Sequence, residues 1–194
     1  MILNLANFLY RSSANGPGIR AALWVQGCPI HCKGCYNEEF WSFEPKMAVE
    51  VGALAEQITR IEGIEGVTFS GGEPFSQAEA LAQLGQVLIK KDLNIITFTG
   101  YPYDHLITGN DPAWKELLDV TDLLIAGPYI AENRCDSALF GSSNQSLIFL
   151  TSRFKGHPDL GRAATQKTEF IIGPDGTVIT TGFPDNETLT EIWS

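Results

Sequence analysis

The feature that most restricts this chain is a short loop, QGCPIHCKGCYN, which places Cys28, Cys32 and Cys35 in the spacing C-x3-C-x2-C. It follows directly on residues 19–25, IRAALWV, a compact apolar run that suits a buried strand. Whatever the thiols hold therefore sits at a strand end. No fourth cysteine is near, because Cys135 lies far along the chain with no companion ligand around it. A structural zinc site normally has four closed ligands, and His31 directly precedes Cys32, so both reach one ion only with difficulty. An iron–sulfur cluster suits thiolates better. Three thiolates on a cubane hold three irons and leave the fourth open to a ligand from outside the protein. Stopping at three makes chemical sense if the open iron is the working part. Zinc, and three unrelated buried cysteines, stand as the alternatives.

Composition narrows the setting. A chain of 194 residues fits one domain, 1–194, and buries a core without disulfide help. Four cysteines in such a chain suggest metal binding or catalysis rather than a disulfide framework, and a cytoplasmic location. The net charge of −10 argues against nucleic acid as a partner, since phosphates call for a basic face. No apolar run approaches the length of a membrane span, so no membrane partner is expected. The first residues, MILNLANFLYRSSANGPG, carry no basic region and no small-residue cleavage site, and no signal peptide is read there.

Strands and helices alternate along the chain. Residues 47–61 have apolar positions at Val51, Leu54, Ala55, Ile58 and Ile61, which is helical spacing. Residues 66–69, GVTF, read as a strand stopped by the turn SGGEP. Ser76 and Glu79 have the S-x-x-E form of a capping box, opening a helix to about Lys91. Residues 94–99 form the next strand. Asp111 caps a helix with Pro112 at its first position and Trp114, Leu117 and Leu118 on the buried side. Residues 122–126 and 145–150 are further strands, and 169–180 a hairpin turning at Pro174-Asp175-Gly176. The fold class is α/β, a parallel sheet with right-handed crossovers. The pattern does not separate a partial barrel from an open sheet.

A second motif agrees with the first. SGGEP (70–74) closes the strand after the cysteine loop and precedes a helix. Glycines let backbone approach a ligand closely, and a carboxylate offers an ammonium a charge-assisted bond. C-x3-C-x2-C at the end of a first strand, followed by Gly-Gly-Glu, resembles the radical S-adenosylmethionine (SAM) superfamily. In that superfamily the open iron of a [4Fe-4S] cluster is chelated by the amino and carboxylate groups of SAM. NGPGIR (15–20), GCYN (34–37), FTGY (98–101), AGPYI (126–130) and GSSNQ (141–145) occur in order. Together they resemble the small activating proteins of anaerobic ribonucleotide reductases, over roughly residues 15–150. Ala126-Gly127 stands where those proteins carry Asp-Gly, and Phe140 where they carry arginine. The altered segments bear on the polypeptide substrate, so a maturase of a ribosomally made precursor peptide, with an accessory protein, is the alternative.

The resemblance implies a reduced, open (β/α) partial barrel, core about 15–150, with a C-terminal β-hairpin and tail at about 165–194. It implies cofactors at the C-terminal ends of the strands, in keeping with α/β folds generally. It also implies reductive cleavage of SAM to a 5′-deoxyadenosyl radical that abstracts hydrogen from a polypeptide. A low-potential donor such as flavodoxin or ferredoxin would supply the electron. Cys28, Cys32 and Cys35 would be the cluster ligands. Gly71, Gly72 and Glu73, with Ser70, would hold the amino end of SAM. Tyr36, Thr99 and Gly100 would line the same site. Ser142, Ser143 and Asn144 would either contact substrate or satisfy backbone groups in a turn. Arg11, Arg20 and Lys33 gather positive charge near the cysteine loop in sequence, either to dock an acidic donor or as solvated surface.

Overall fold

A computed structural model describes residues 1–160 and 167–182. In chain order its elements are β1 (Ile2–Ser12), β2 (Arg20–Val25), β3 (Met47–Glu50), α1 (Val51–Thr59), β4 (Gly66–Gly71), α2 (Ala78–Ile89), β5 (Asn94–Thr99), α3 (Tyr103–Thr108), α4 (Pro112–Val120), β6 (Leu123–Ala126), β7 (Ser146–Phe149), β8 (Thr168–Ile172) and β9 (Val178–Gly182). The first seven strands make one sheet in the order β3-β1-β2-β4-β5-β6-β7, and β8 and β9 pair separately as the expected hairpin. The tail, 183–194, lies outside the described residues.

Four central strands, β2, β4, β5 and β6, run parallel. Most of their residues are buried, as a sheet covered on both faces requires, with Arg20, Thr68, Thr97 and Thr99 the buried polar ones. The flanks depart from the all-parallel expectation: β1 is antiparallel to β2 and β3, and β7 to β6. The connections explain it. Residues 13–19 are too few to cross over between parallel neighbours, and 127–145 return from β6 to β7 without a crossover helix.

All four helices pack into one core with Leu23, Val67, Phe69 and Ile95 on one face of the sheet. Two smaller clusters, around Trp24 with Phe40 and around Ile96 with Phe154, lie apart from the helices. That second face is where the cavity lies.

Two local readings change. Residues 47–50 are not the first turn of a helix but strand β3, which pairs with residues 2–5 of β1. The helix starts at Val51, the first apolar position of the 3.6-residue pattern, and Glu50 caps it by accepting from the Ala53 N–H at 2.7 Å. The Ser76 capping box does not form, because Pro74–Gln77 is a tight 3-10 turn with Ser76 inside it. Glu73 caps that turn instead, accepting from Phe75 N–H. Asp111 and Pro112 open α4 as expected, with Leu117 buried and Trp114 and Leu118 packed against the core.

Arg20 is not a surface charge. It is fully buried at the start of β2, at the far end of the sheet from the cysteines. Its guanidinium donates to Thr68 Oγ1 at 2.9 Å, Pro17 O at 2.8 Å and Val67 O at 3.0 Å. Burial pushes it down to about 9, against the pull of Glu65 and Asp122. Arg11 donates to the Glu62 carbonyl, which leaves Lys33 as the exposed cation on the cysteine loop.

Candidate active site

Each parallel strand delivers its C-terminal end to one cavity of about 560 Å³. β2 ends in Gln26-Gly27 and passes into the cysteine loop. Gly27 N–H donates to Phe40 O at 2.8 Å and Cys28 N–H to Trp41 O at 3.0 Å, so residues 40–41 brace the loop from behind. Cys35 N–H closes a turn onto Cys32 O at 3.1 Å. The His31 ring stacks on Trp41 with centroids 4.6 Å apart, facing away from a ligand role. Cys28, Cys32 and Cys35 all line the cavity.

β4 ends in Ser70-Gly71-Gly72-Glu73, which also line it. Here the backbone, not only a ligand, demands glycine. Gly71 has φ +110°, and a Cβ on it would lie 2.3 Å from Val25 N. A Cβ on Gly72 would lie 2.2 Å from Gly27 O. The two loops are joined by Gly72 N–H to Val25 O at 2.7 Å and Glu73 N–H to Gly27 O at 2.8 Å.

Glu73 is buried, at 1% exposure. Its carboxylate accepts from Phe75 N–H at 2.9 Å, Thr99 Oγ1 at 2.9 Å and Gly100 N–H at 2.8 Å. β5 thus ends against the same carboxylate. Burial pushes Glu73 up to about 7 in spite of those three donors. None of the ion pairs among the described residues includes it.

Beyond β6 the chain returns over the cavity mouth. A backbone hydrogen bond from Tyr129 reaches the Cys32 thiol, and the Tyr129 ring lies 5.3 Å from that of Tyr36. Burial and the Tyr129 hydrogen bond push Tyr36 up to about 12, so its phenol is neutral. Gln145 fixes this loop: its Oε1 accepts from Gly141 N–H at 3.1 Å and its Nε2 donates to Gly127 O at 3.0 Å. Ser142 Oγ accepts from Ile130 N–H, and Asn144 Nδ2 donates to Pro128 O. Those side chains satisfy backbone, and Gly141 and Gln145 are what the segment presents to the cavity.

All ten of Cys28, Cys32, Cys35, Tyr36, Ser70, Gly71, Gly72, Glu73, Thr99 and Gly100 meet at this one cavity. Tyr101 does not; its ring packs with His105 and Trp114 on the helix side. Cys135 also lies outside the lining, its thiol 3.9 Å from Phe140 O. Sequence reasoning missed Tyr129, Gln145 and the hairpin strand β9, whose residues 178–182 form part of the wall. The motifs AGPYI and GSSNQ marked the first two; nothing in the sequence marked the third.

The donor set tests what could sit here. Among the described residues no three His, Cys, Asp or Glu side chains converge tightly enough to hold one metal ion. Zinc needs all its ligands within about 2.3 Å of one point. A cubane takes one thiolate per iron at separate corners, and three neighbouring thiols on one cavity wall suit that demand. Burial pushes the Cys28 and Cys32 thiols up in the metal-free chain; bound iron reverses that by favouring thiolate.

Comparison with known proteins agrees with this donor set. The family described as a 4Fe-4S single cluster domain matches residues 14–148. The site and the match together define a radical SAM enzyme whose cofactors are a single [4Fe-4S] cluster and SAM. Within that class, the chain belongs to the family of anaerobic ribonucleoside-triphosphate reductase-activating proteins. It is 34% identical to the Haemophilus influenzae protein of that name, over 79% of this chain and 99% of the relative. It is 37% identical to the Vibrio cholerae protein over 68% of this chain and 88% of the relative. The Escherichia coli K12 protein is 31% identical over the same shares, 68% and 88%. Among solved structures, QueE from Escherichia coli superposes with a TM-score of 0.43 at 16% identity, over 63% of this chain and 68% of its own.

Proposed function

We propose that this protein activates an anaerobic ribonucleotide reductase by taking a hydrogen atom from a glycine of that partner's chain. The observation that carries this reading is the buried Glu73 carboxylate, left without a cationic partner among the described residues on the wall it shares with three thiols. Burying an unpaired charge is costly, so the site is built for a ligand that brings an ammonium. The amino group of SAM is such a ligand, and Cys28, Cys32 and Cys35 stand ready for the cluster to which SAM would bind. When bound, cluster and SAM would supply one-electron cleavage and hydrogen-atom abstraction; the protein's share is ligation, orientation and exclusion of water.

The chain's residues divide that work. Gly71 and Gly72 keep the strand ends close, and Thr99 and Gly100 hold the Glu73 carboxylate toward the cavity. Tyr36 and Tyr129 cover the cysteine loop. The sheet would curl as a partial barrel around the cofactors, supported by a cavity whose lining runs from Asn7 on β1 to Gln145 before β7. A low-potential donor would approach the cysteine loop, where Lys33 is exposed.

The test is reconstitution without oxygen. The protein should take up about four irons and four sulfides per chain. It should form 5′-deoxyadenosine in the presence of reductant, and raise a glycyl radical on the reductase of the same organism. Cys28→Ala, Cys32→Ala and Cys35→Ala should each lose the cluster, and Cys135→Ala should retain it. Stoichiometric zinc with no iron uptake, or coupled turnover on a free metabolite, would overturn the reading.

A further inference from the structure

A glycine offers no side chain to grip, so its reacting carbon can be placed only through the backbone around it. The cavity contains a structure suited to that task. Five consecutive residues of β9, Val178 to Gly182, line it, and β8 contributes none. Successive strand residues face opposite sides, so one face of β9 would present only alternate residues. A run of five means that β9 presents its edge.

That edge is open. β9 pairs with β8 alone among the described residues. Gly173 N–H donates to Thr177 O at 2.7 Å, which closes the first pair of the ladder with a hydrogen bond. Antiparallel pairs alternate between bonded and unbonded, so Ile171 with Ile179 and Glu169 with Thr181 are the bonded pairs. The N–H and C=O groups of Val178, Thr180 and Gly182 therefore point away from β8. Nor is the edge blunted: VITTG has no lysine, no proline and no charge, the devices that usually protect a free edge. It is also held in place. The Glu169 carboxylate accepts from Ser12 Oγ, and from Ser13 N–H and Oγ, each at 2.8 Å for Ser13. Asn15 Nδ2 donates to Thr181 Oγ1 at 2.9 Å. Ile171 packs on the Trp24 and Phe40 cluster.

We propose that the substrate segment of the partner enters in extended form and adds to the free edge of β9 as a third strand. Main-chain bonds of this kind give affinity without requiring particular side chains, which is what a glycine-bearing segment needs. The occupant is committed by position, since the cavity the edge faces is the one holding the cysteines and Glu73. This rests on the activase reading above.

The test uses the reconstituted full chain with SAM and the full-length anaerobic ribonucleotide reductase of the same organism. Residue-resolved amide hydrogen exchange should slow at least tenfold at Val178, Thr180 and Gly182 when reductase is added. Ile179 and Thr181, already bonded to β8, should change little. Thr180→Pro removes one outward N–H without touching the β8 ladder, a placement that edge strands tolerate. It should weaken reductase binding about tenfold, while the iron bound per chain, held by the three cysteines, stays as in the parent. Alternating protection together with that loss supports the proposal. Uniform or absent protection at saturating reductase, or parent-like binding by Thr180→Pro, overturns it and leaves the activase reading intact. Failure of the parent protein to bind or activate the reductase removes that reading, and this one with it.

Discussion

The two ends of the parallel sheet both bury charge, and the environments of Arg20 and Glu73 are opposite in kind. Arg20 begins β2 and is closed off: Thr68, Pro17, Val67 and Asn94 all accept from its fork, Glu65 and Asp122 supply negative charge, and Phe154 covers it at 5.6 Å. Glu73 follows β4 with three donors, no counter-charge among the described residues and a cavity in front of it. A buried charge that is fully paired braces a fold; one that is hydrogen-bonded but unpaired waits for a ligand. The contrast separates scaffold from site without reference to any relative.

The largest effect should come from the closed end. Arg20→Met leaves the buried Pro17 and Val67 carbonyls without the donors that now satisfy them, and should cost roughly 3–5 kcal/mol in urea unfolding. Iron bound per folded chain should be unchanged. A loss under about 1 kcal/mol would mean that Arg20 is not the brace its bonds suggest.

The open end should show itself next, in pH dependence of the metal-free protein. The folded Glu73 is raised to about 7 from 4.5, so the folded state binds more protons in that window. Its contribution to stability is full below 4.5 and is lost as pH rises through about 7, a change of roughly 3 kcal/mol. The difference between parent and Glu73→Gln unfolding curves isolates it. A difference that is flat with pH would place Glu73 in the same class as Arg20.

Ligand binding is the third measurement. Glu73→Ala should keep the cluster but lose roughly 1.5–3 kcal/mol of SAM affinity, about 10- to 150-fold, read from perturbation of the cluster's EPR signal. Unchanged affinity would reduce Glu73 to a cap on the turn after β4. Smallest of all is Glu169, a half-exposed carboxylate. Although burial pushes it up, hydrogen bonds from Ser12 and Ser13 hold it below the usual carboxylate range. Glu169→Gln should cost about 1 kcal/mol or less, seen as faster amide exchange in β8 and β9 alone.

Legibility in the sequence followed the same division. Strand β5 was readable to the residue because Asn94–Thr99 is bounded by polar turns, and α4 because Asp111-Pro112 is a strong start signal. That ten motif residues would meet at one cavity was readable because the resemblance puts them all at the C-terminal ends of neighbouring strands. Strand β1 was not. Leu3 and Leu5 face the helix-side core, but the register shifts between Leu5 and Asn7, after which Phe8 takes that face and Leu9 the other. A bulge of this kind inverts the period-two signal halfway along. Arg20 was misjudged because nearness in sequence to the cysteines says nothing of a strand's length between them. β9 as a cavity wall was invisible, since docking of the hairpin depends on Glu169 meeting Ser12 and Ser13, more than 150 positions away.

The close approach at Gly71 and Gly72 has a consequence for the family's history. A side chain at either position would collide with the main chain of β2 or the loop behind it whether or not any ligand were ever bound. A descendant that had given up catalysis but kept its architecture would still spell glycine twice there, under selection for folding alone. The third letter is constrained differently, by hydrogen bonds from Phe75, Thr99 and Gly100 rather than by want of space. In a distant member of this lineage, an intact pair of glycines would testify to ancestry and architecture alone.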